Sequence, residues 1–137
     1  MESPEAISIQ RTDWCEMLQH VQACLPREAC GLLGGKDGSV RHVLPVKNVA
    51  SGSSRFRMDP GSQIEAMLSL EEGGESIIGI YHSHPAGPSI LSRTDMDEIT
   101  YPEAANLIWS PFEDGWICRA FVLQVEHVHE IEIHIED

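Results

Sequence analysis

Residues 81–98, YHSHPAGPSILSRTDMDE, decide how the rest of the chain is read. They continue the apolar, β-rich run SIIGI, so residues 76–84 are expected to form a central strand ending in His-Ser-His. His82 and His84 stand at i and i+2, and on a strand both imidazoles project to the same side. Asp95 lies three residues after Ser92, in the first turn of the helix expected over RTDMDEI. The intervening loop carries Pro85, Gly87 and Pro88 and can fold back to set the carboxylate beside the histidines. Two nitrogens and one oxygen, with a fourth position left to water, are the donors of a catalytic zinc site. SRTD also fits a capping box, with Ser92 capping the helix and Asp95 returning a bond to it. Spacing alone leaves both readings open.

Outward from this stretch the elements follow in order. AISIQ (6–10) alternates and reads as a strand. Thr12 or Asp13 can cap the helix WCEMLQHVQAC, whose Trp14, Met17, Leu18, Val21 and Cys24 fall at helical spacing. Pro26 stops it. ACGLLGG reads as a buried strand, KDG as a turn, and SVRHVLPVKNV as the next strand. SRFRMD (54–59) is a third strand-like stretch. Asp59-Pro60 starts the helix GSQIEAMLSLEE, which ends at Gly73-Gly74. ANLIWS and WICRAFVLQV read as strands around a turn at Asp114-Gly115. In the tail EHVHEIEIHIED, His127, His129, Ile131, Ile133 and Ile135 share one face. The order βαβββαβαβββ predicts an α/β or α+β fold, a mixed central β-sheet flanked by helices.

At 137 residues one domain over 1–137 is expected. Nine Lys and Arg against 22 Asp and Glu give a net charge of −13, which repels phosphate backbones and disfavours nucleic acid as a partner. No apolar run approaches the ~20 residues that cross a bilayer, so no membrane association is expected. MESPEAISIQ has neither a basic nor an apolar leader region, and Cys15, Cys24, Cys30 and Cys118 form no CxxC pair. A cytoplasmic location with reduced thiols is the expectation. HEIEIH is one residue too long for HExxH. GLLGGKDG fails as a P-loop, because Cys30 takes the first glycine position and Asp37 follows the lysine. The zinc-deaminase pattern is absent. Trp14, Trp109, Trp116 and Phe121 read as core, Cys30 as a buried inert thiol, and His20 and His42 as surface residues. His127 and His129 offer at most a stray metal.

His82-Ser83-His84, seven residues, Ser92, two residues and Asp95 resemble the JAMM (MPN-plus) zinc metalloprotease motif. PREACGLLGG places Glu28 where that family carries a glutamate, at the entry to its second strand. On the residues alone, Glu28 reads as a solvated acid at a strand edge. NVASGSSRFRMDP and IIGIYHSHP are also similar to the short prokaryotic members, so the likeness runs from about residue 5 to residue 125. The resemblance implies a JAMM/MPN (cytidine deaminase-like) domain in which His82, His84 and Asp95 hold Zn²⁺. It implies Glu28 as general base and Ser92 as hydrogen-bond donor to the oxyanion. Ser83 is expected to point away from the ligands and support the strand.

The resemblance further implies a hydrolase that cuts after the C-terminal Gly-Gly of a ubiquitin-like or sulfur-carrier protein. Removal of such a modifier from lysine and release of cysteine from the carrier both remain open. A small-molecule amidase, a non-catalytic MPN scaffold and a RadC-type relative linked to DNA are the rivals; intact motif residues weigh against the scaffold, and the charge against DNA. The alternating C-terminal strand can pair with a second copy in a homodimer or lie on its own sheet.

Overall fold

A computed structural model describes residues 5–50, 56–90, 92, 101, 103–124 and 127–137. AISIQ forms β1 (Ala6–Gln10), which runs directly into α1 (Arg11–Cys24). The helix is capped at Gln10 without a side-chain bond, so the expected caps, Thr12 and Asp13, fall inside its first turn. Asp13 keeps a use there, since a carboxylate near the amino end complements the helix dipole. A hairpin follows, β2 (Cys30–Lys36) and β3 (Ser39–Val46), turning at Asp37 and Gly38 with φ of 54° and 76°. Two positive φ values in succession are what a two-residue turn joining right-twisted strands requires.

The next elements are α2 (Pro60–Glu72), β4 (Ser76–Ser83), β5 (Ala105–Phe112), β6 (Gly115–Gln124) and β7 (His127–Glu136). The Asp59 side chain accepts hydrogen bonds from the backbone N and hydroxyl of Ser62 and so caps α2. SRFRMD does not form a strand in its described part: residues 56–59 contribute one isolated bridge, Asn48 to Met58. Phe56 and Met58 turn toward the second core, and the segment's backbone bonds run to residues 47–49 and not to a named strand. The helix expected over 93–99 lies outside the described residues.

The mixed sheet closes into a barrel in the order β1-β3-β2-β4-β5-β6-β7, with β7 returning to β1. β1 runs parallel to both β3 and β7, and β4 parallel to β5; the other neighbours are antiparallel. The sequence led to the expectation of a central sheet, and closure is what the structure adds. Strand alternation then divides the apolar residues into two cores. One takes Ile7, Ile9, Leu33, Tyr81, Trp109 and Ile131 from the strands, with Met17 and Val21 of α1. The other, on the opposite face of β2 and β4, gathers Cys30, Leu32, Val46, Met58 and Ile80, with Ala66 of α2 packed on it.

Two glycines of GLLGG are explained by this layering. A Cβ on Gly31 would overlap the Tyr81 ring, and one on Gly34 would overlap the Leu70 side chain of α2. No helix among the described residues is long and apolar enough to cross a membrane.

Candidate metal centre

His82 is the seventh of eight residues in β4, fixed between Cys30 of β2 and Ile108 of β5. Ile80 of the second core is two residues earlier, so His82 emerges on that same face, at its end. Ser83 points the other way and is fully buried. Its hydroxyl accepts from Ala29 N at 2.8 Å, and its own N donates to Ala29 O at 3.1 Å. This pair of bonds ties the segment before β2 to the end of β4. Continuing the Cys30–His82 register two residues outward sets Glu28 opposite His84. Glu28 thus lies just ahead of β2, with its side chain on the histidine face.

The strand-edge reading of Glu28 is therefore corrected: the residue is 5% exposed. Its carboxylate and one nitrogen from each of His82 and His84 all lie within 4.8 Å of one another. The two imidazoles face each other Nε2 to Nε2 at 3.1 Å. His84 Nδ1 is 2.8 Å from the Pro88 carbonyl, which can only accept, so Nδ1 carries the hydrogen. In the neutral ring Nε2 is then a bare lone pair, the form that binds a metal, with the far nitrogen held by a carbonyl. The His84 backbone is anchored as well, its N donating to Trp109 O at 2.7 Å. Converging imidazole nitrogens beside a buried carboxylate are a donor set a divalent transition metal fits, and a cation offsets the cost of burying that charge.

Ser92 is half-buried, whereas Asp95 lies outside the described residues. Cys30 shares the face with His82 but is no thiolate. Burial first, then nearby Cys24 and Glu28, push its thiol up to about 12, and its Sγ donates to Val46 O at 3.5 Å. Two residues that the sequence left unassigned border the site. Phe56 stacks on the His82 ring at 4.4 Å between centroids, tilted 24°. Asn48 donates from Nδ2 to the Glu28 carbonyl at 2.9 Å. Their signal lay in NVASGSSRFRMDP, where an Asn and a Phe interrupt a stretch that otherwise reads as strand and loop. His20 is also more than a surface residue, its Nδ1 lying 2.6 Å from the Tyr81 hydroxyl. His42 does lie on the surface, paired with Glu75 at 2.6 Å.

The profile of prokaryotic homologs of the JAB domain matches residues 13–129, and the chain belongs to that family. Among named relatives, a desampylase of Pyrococcus furiosus is 30% identical over 111 residues, 80% of this chain and 76% of that protein. A CysO-cysteine peptidase of Mycobacterium tuberculosis is 37% identical over 91 residues, 64% of this chain and 62% of that protein. The match thus spans less than two thirds of the mycobacterial relative's length. A solution structure from Desulfitobacterium hafniense superposes with a TM-score of 0.86 at 35% identity, covering 96% of this chain and 93% of that one.

Proposed function

We propose that this chain is a zinc-dependent isopeptidase or peptidase. Its reaction is hydrolysis of the bond that follows the C-terminal Gly-Gly of a ubiquitin-like or sulfur-carrier protein. The observation that carries this reading is the convergence of buried Glu28 and His82 with half-buried His84. Similarity to a CysO-cysteine peptidase and to a desampylase supports the substrate class. In this reading His82, His84 and Asp95 hold the metal. Zinc, when bound, supplies Lewis acidity and brings the pKa of a coordinated water to about 7.

The chain's own groups do the rest. Glu28 accepts the proton of the attacking water and delivers it to the leaving amine, so that one carboxylate serves both halves of the hydrolysis. Its burial keeps bulk water from competing for that proton. Ser92 donates a hydrogen bond to the oxygen that gains charge as the scissile carbonyl is attacked. A Gly-Gly tail binds extended, and its lack of Cβ atoms lets its backbone come close to the metal-binding side chains. The acidic surface, at −13, suits a neutral or basic partner.

The test is mass spectrometry of a ubiquitin-like sulfur carrier extended past Gly-Gly, incubated with the zinc-loaded protein with and without a chelator. Cleavage after the second glycine that stops with the chelator is expected. Intact substrate despite one zinc per chain would reject the substrate class. Cleavage indifferent to the chelator would reject the metal.

A further inference from the structure

The loop between β3 and α2 is closed at its base. Asp59 N donates to Lys47 O at 2.9 Å and Val49 N to Arg57 O at 2.8 Å. Asn48 sits inside this closure with its side chain used at both ends. Oδ1 accepts from Ala50 N at 2.9 Å and from Arg57 N at 3.0 Å, while Nδ2 reaches out to the Glu28 carbonyl. Arg27, next to Glu28, adds bonds to the carbonyls of Asn48 and Ala50. Phe56, on the returning side of the loop, lies against His82.

We infer that this loop base is a positioning device for the metal centre: Asn48 sets Glu28 through its main chain, and Phe56 sets the ring plane of His82. The inference rests on the metal-site reading given above. The backbone of His82 is fixed by two neighbouring strands, but a strand does not fix rotation of the imidazole about its side-chain bonds. A ring 4.4 Å away and nearly parallel restricts that rotation. The stack also strengthens when the imidazole gives electron density to a cation, since an electron-poor ring is drawn to the Phe56 π-face. Glu28 precedes β2, so its orientation depends on what holds residues 27–29. Ala29 is held from the Ser83 side, and Arg27 and Glu28 from the loop side. Phe56 and Asn48 are positioning residues, and neither is asked to touch substrate.

The experiment compares wild type with Phe56→Leu, Phe56→Tyr and Asn48→Asp. Metal affinity is read by competition with a chromophoric chelator, and ligand geometry by the visible spectrum of the Co²⁺-loaded protein. Turnover is read on the Gly-Gly-extended carrier, and thermal melting checks the fold. Groups that hold a ligand from outside its coordination shell are worth about 10- to 100-fold in affinity or activity. Phe56→Leu should lose metal affinity in that range and alter the Co²⁺ spectrum, and Phe56→Tyr should restore both. Asn48→Asp keeps the bonds accepted from Ala50 N and Arg57 N and loses the one donated to the Glu28 carbonyl. It should melt near wild type, keep its metal and KM, and fall in kcat by a similar factor.

Wild-type affinity and spectrum in Phe56→Leu, or equal loss in Phe56→Leu and Phe56→Tyr, would overturn the Phe56 assignment. Wild-type kcat in Asn48→Asp would overturn the Asn48 assignment. A wild-type protein that binds no metal overturns the functional reading and this one together. A wild type that binds metal but leaves the carrier intact overturns the substrate and the Asn48 assignment, while the Phe56 result stands by its own readouts.

Discussion

Exchanging one oxygen of Glu28 for an amide nitrogen, as Glu28→Gln, leaves His82 and His84 in place and removes the proton acceptor. The expected outcome is retained metal with kcat lowered by about 10²- to 10⁴-fold, measured on the extended carrier. His84→Ala should lose metal and turnover together, which a chelator competition assay separates from the first case. A second side chain on the same face has an independent test. With its thiol pushed up to about 12, Cys30 is neutral at pH 8 and has no exposed surface. Iodoacetamide should label exposed Cys15 in the native protein and reach Cys30 only after unfolding, read by peptide mass spectrometry. At this scale the histidine pair was legible, because i, i+2 spacing on a strand is a local property. The burial of Glu28 was not, because it depends on β4 and the loop after β3 arriving beside it.

The caps and turns of the elements depend on few residues. Asp59 holds the first turn of α2, and its bonds from Ser62 keep the carboxyl below its ordinary value. A lowered carboxylate pKa contributes stability that is complete above the unfolded value and lost as pH falls through the folded one. Asp59→Ala should therefore lower the urea midpoint at neutral pH without altering the slope, and the gap from wild type should close below about pH 4. Equal gaps at pH 7 and pH 3 would remove the charge from the explanation. KDG and Asp59-Pro60 were readable because turn and cap chemistry is written in consecutive residues. SRFRMD misled for a related reason. Alternation reports a two-sided environment, and Phe56 and Met58 meet that condition by packing on the second core with only one isolated bridge, to Asn48, beside them.

Closure of the barrel sets the behaviour of the whole molecule. β1 pairs with β7 at five positions and with β3 at two, so most of its ladder is supplied from the far end of the chain. Deleting residues 127–137 would leave β1 with little pairing and expose one edge of β6. Ile7 and Ile9, 2% and 1% exposed, lie on that strand. The truncated protein should lose its cooperative unfolding transition, and amide exchange in β1 should rise to the rate of its loops, followed by hydrogen-exchange mass spectrometry. Persistence of the wild-type transition would show that β3 and α1 suffice to hold β1. The strict alternation of the tail identified its buried face, with Ile131 in the core and His127 and His129 exposed. It left open whether that strand meets a second copy or its own sheet, and here it pairs with β1 and β6.

By itself the sequence determined what depends on neighbouring residues. That comprises the strand and helix order over most of the chain, the turns, the Asp59 cap of α2, the shared face of His82 and His84, and the resemblance that nominated Glu28, Ser92 and Asp95. Tertiary structure alone decided the closure of the sheet, the burial of Glu28 opposite His84, and the placement of Asn48 and Phe56 against the site. The reason is physical. Periodicity and capping are set within one or two turns of chain, whereas strand pairing, burial and side-chain contact are set by which distant segments exclude water together.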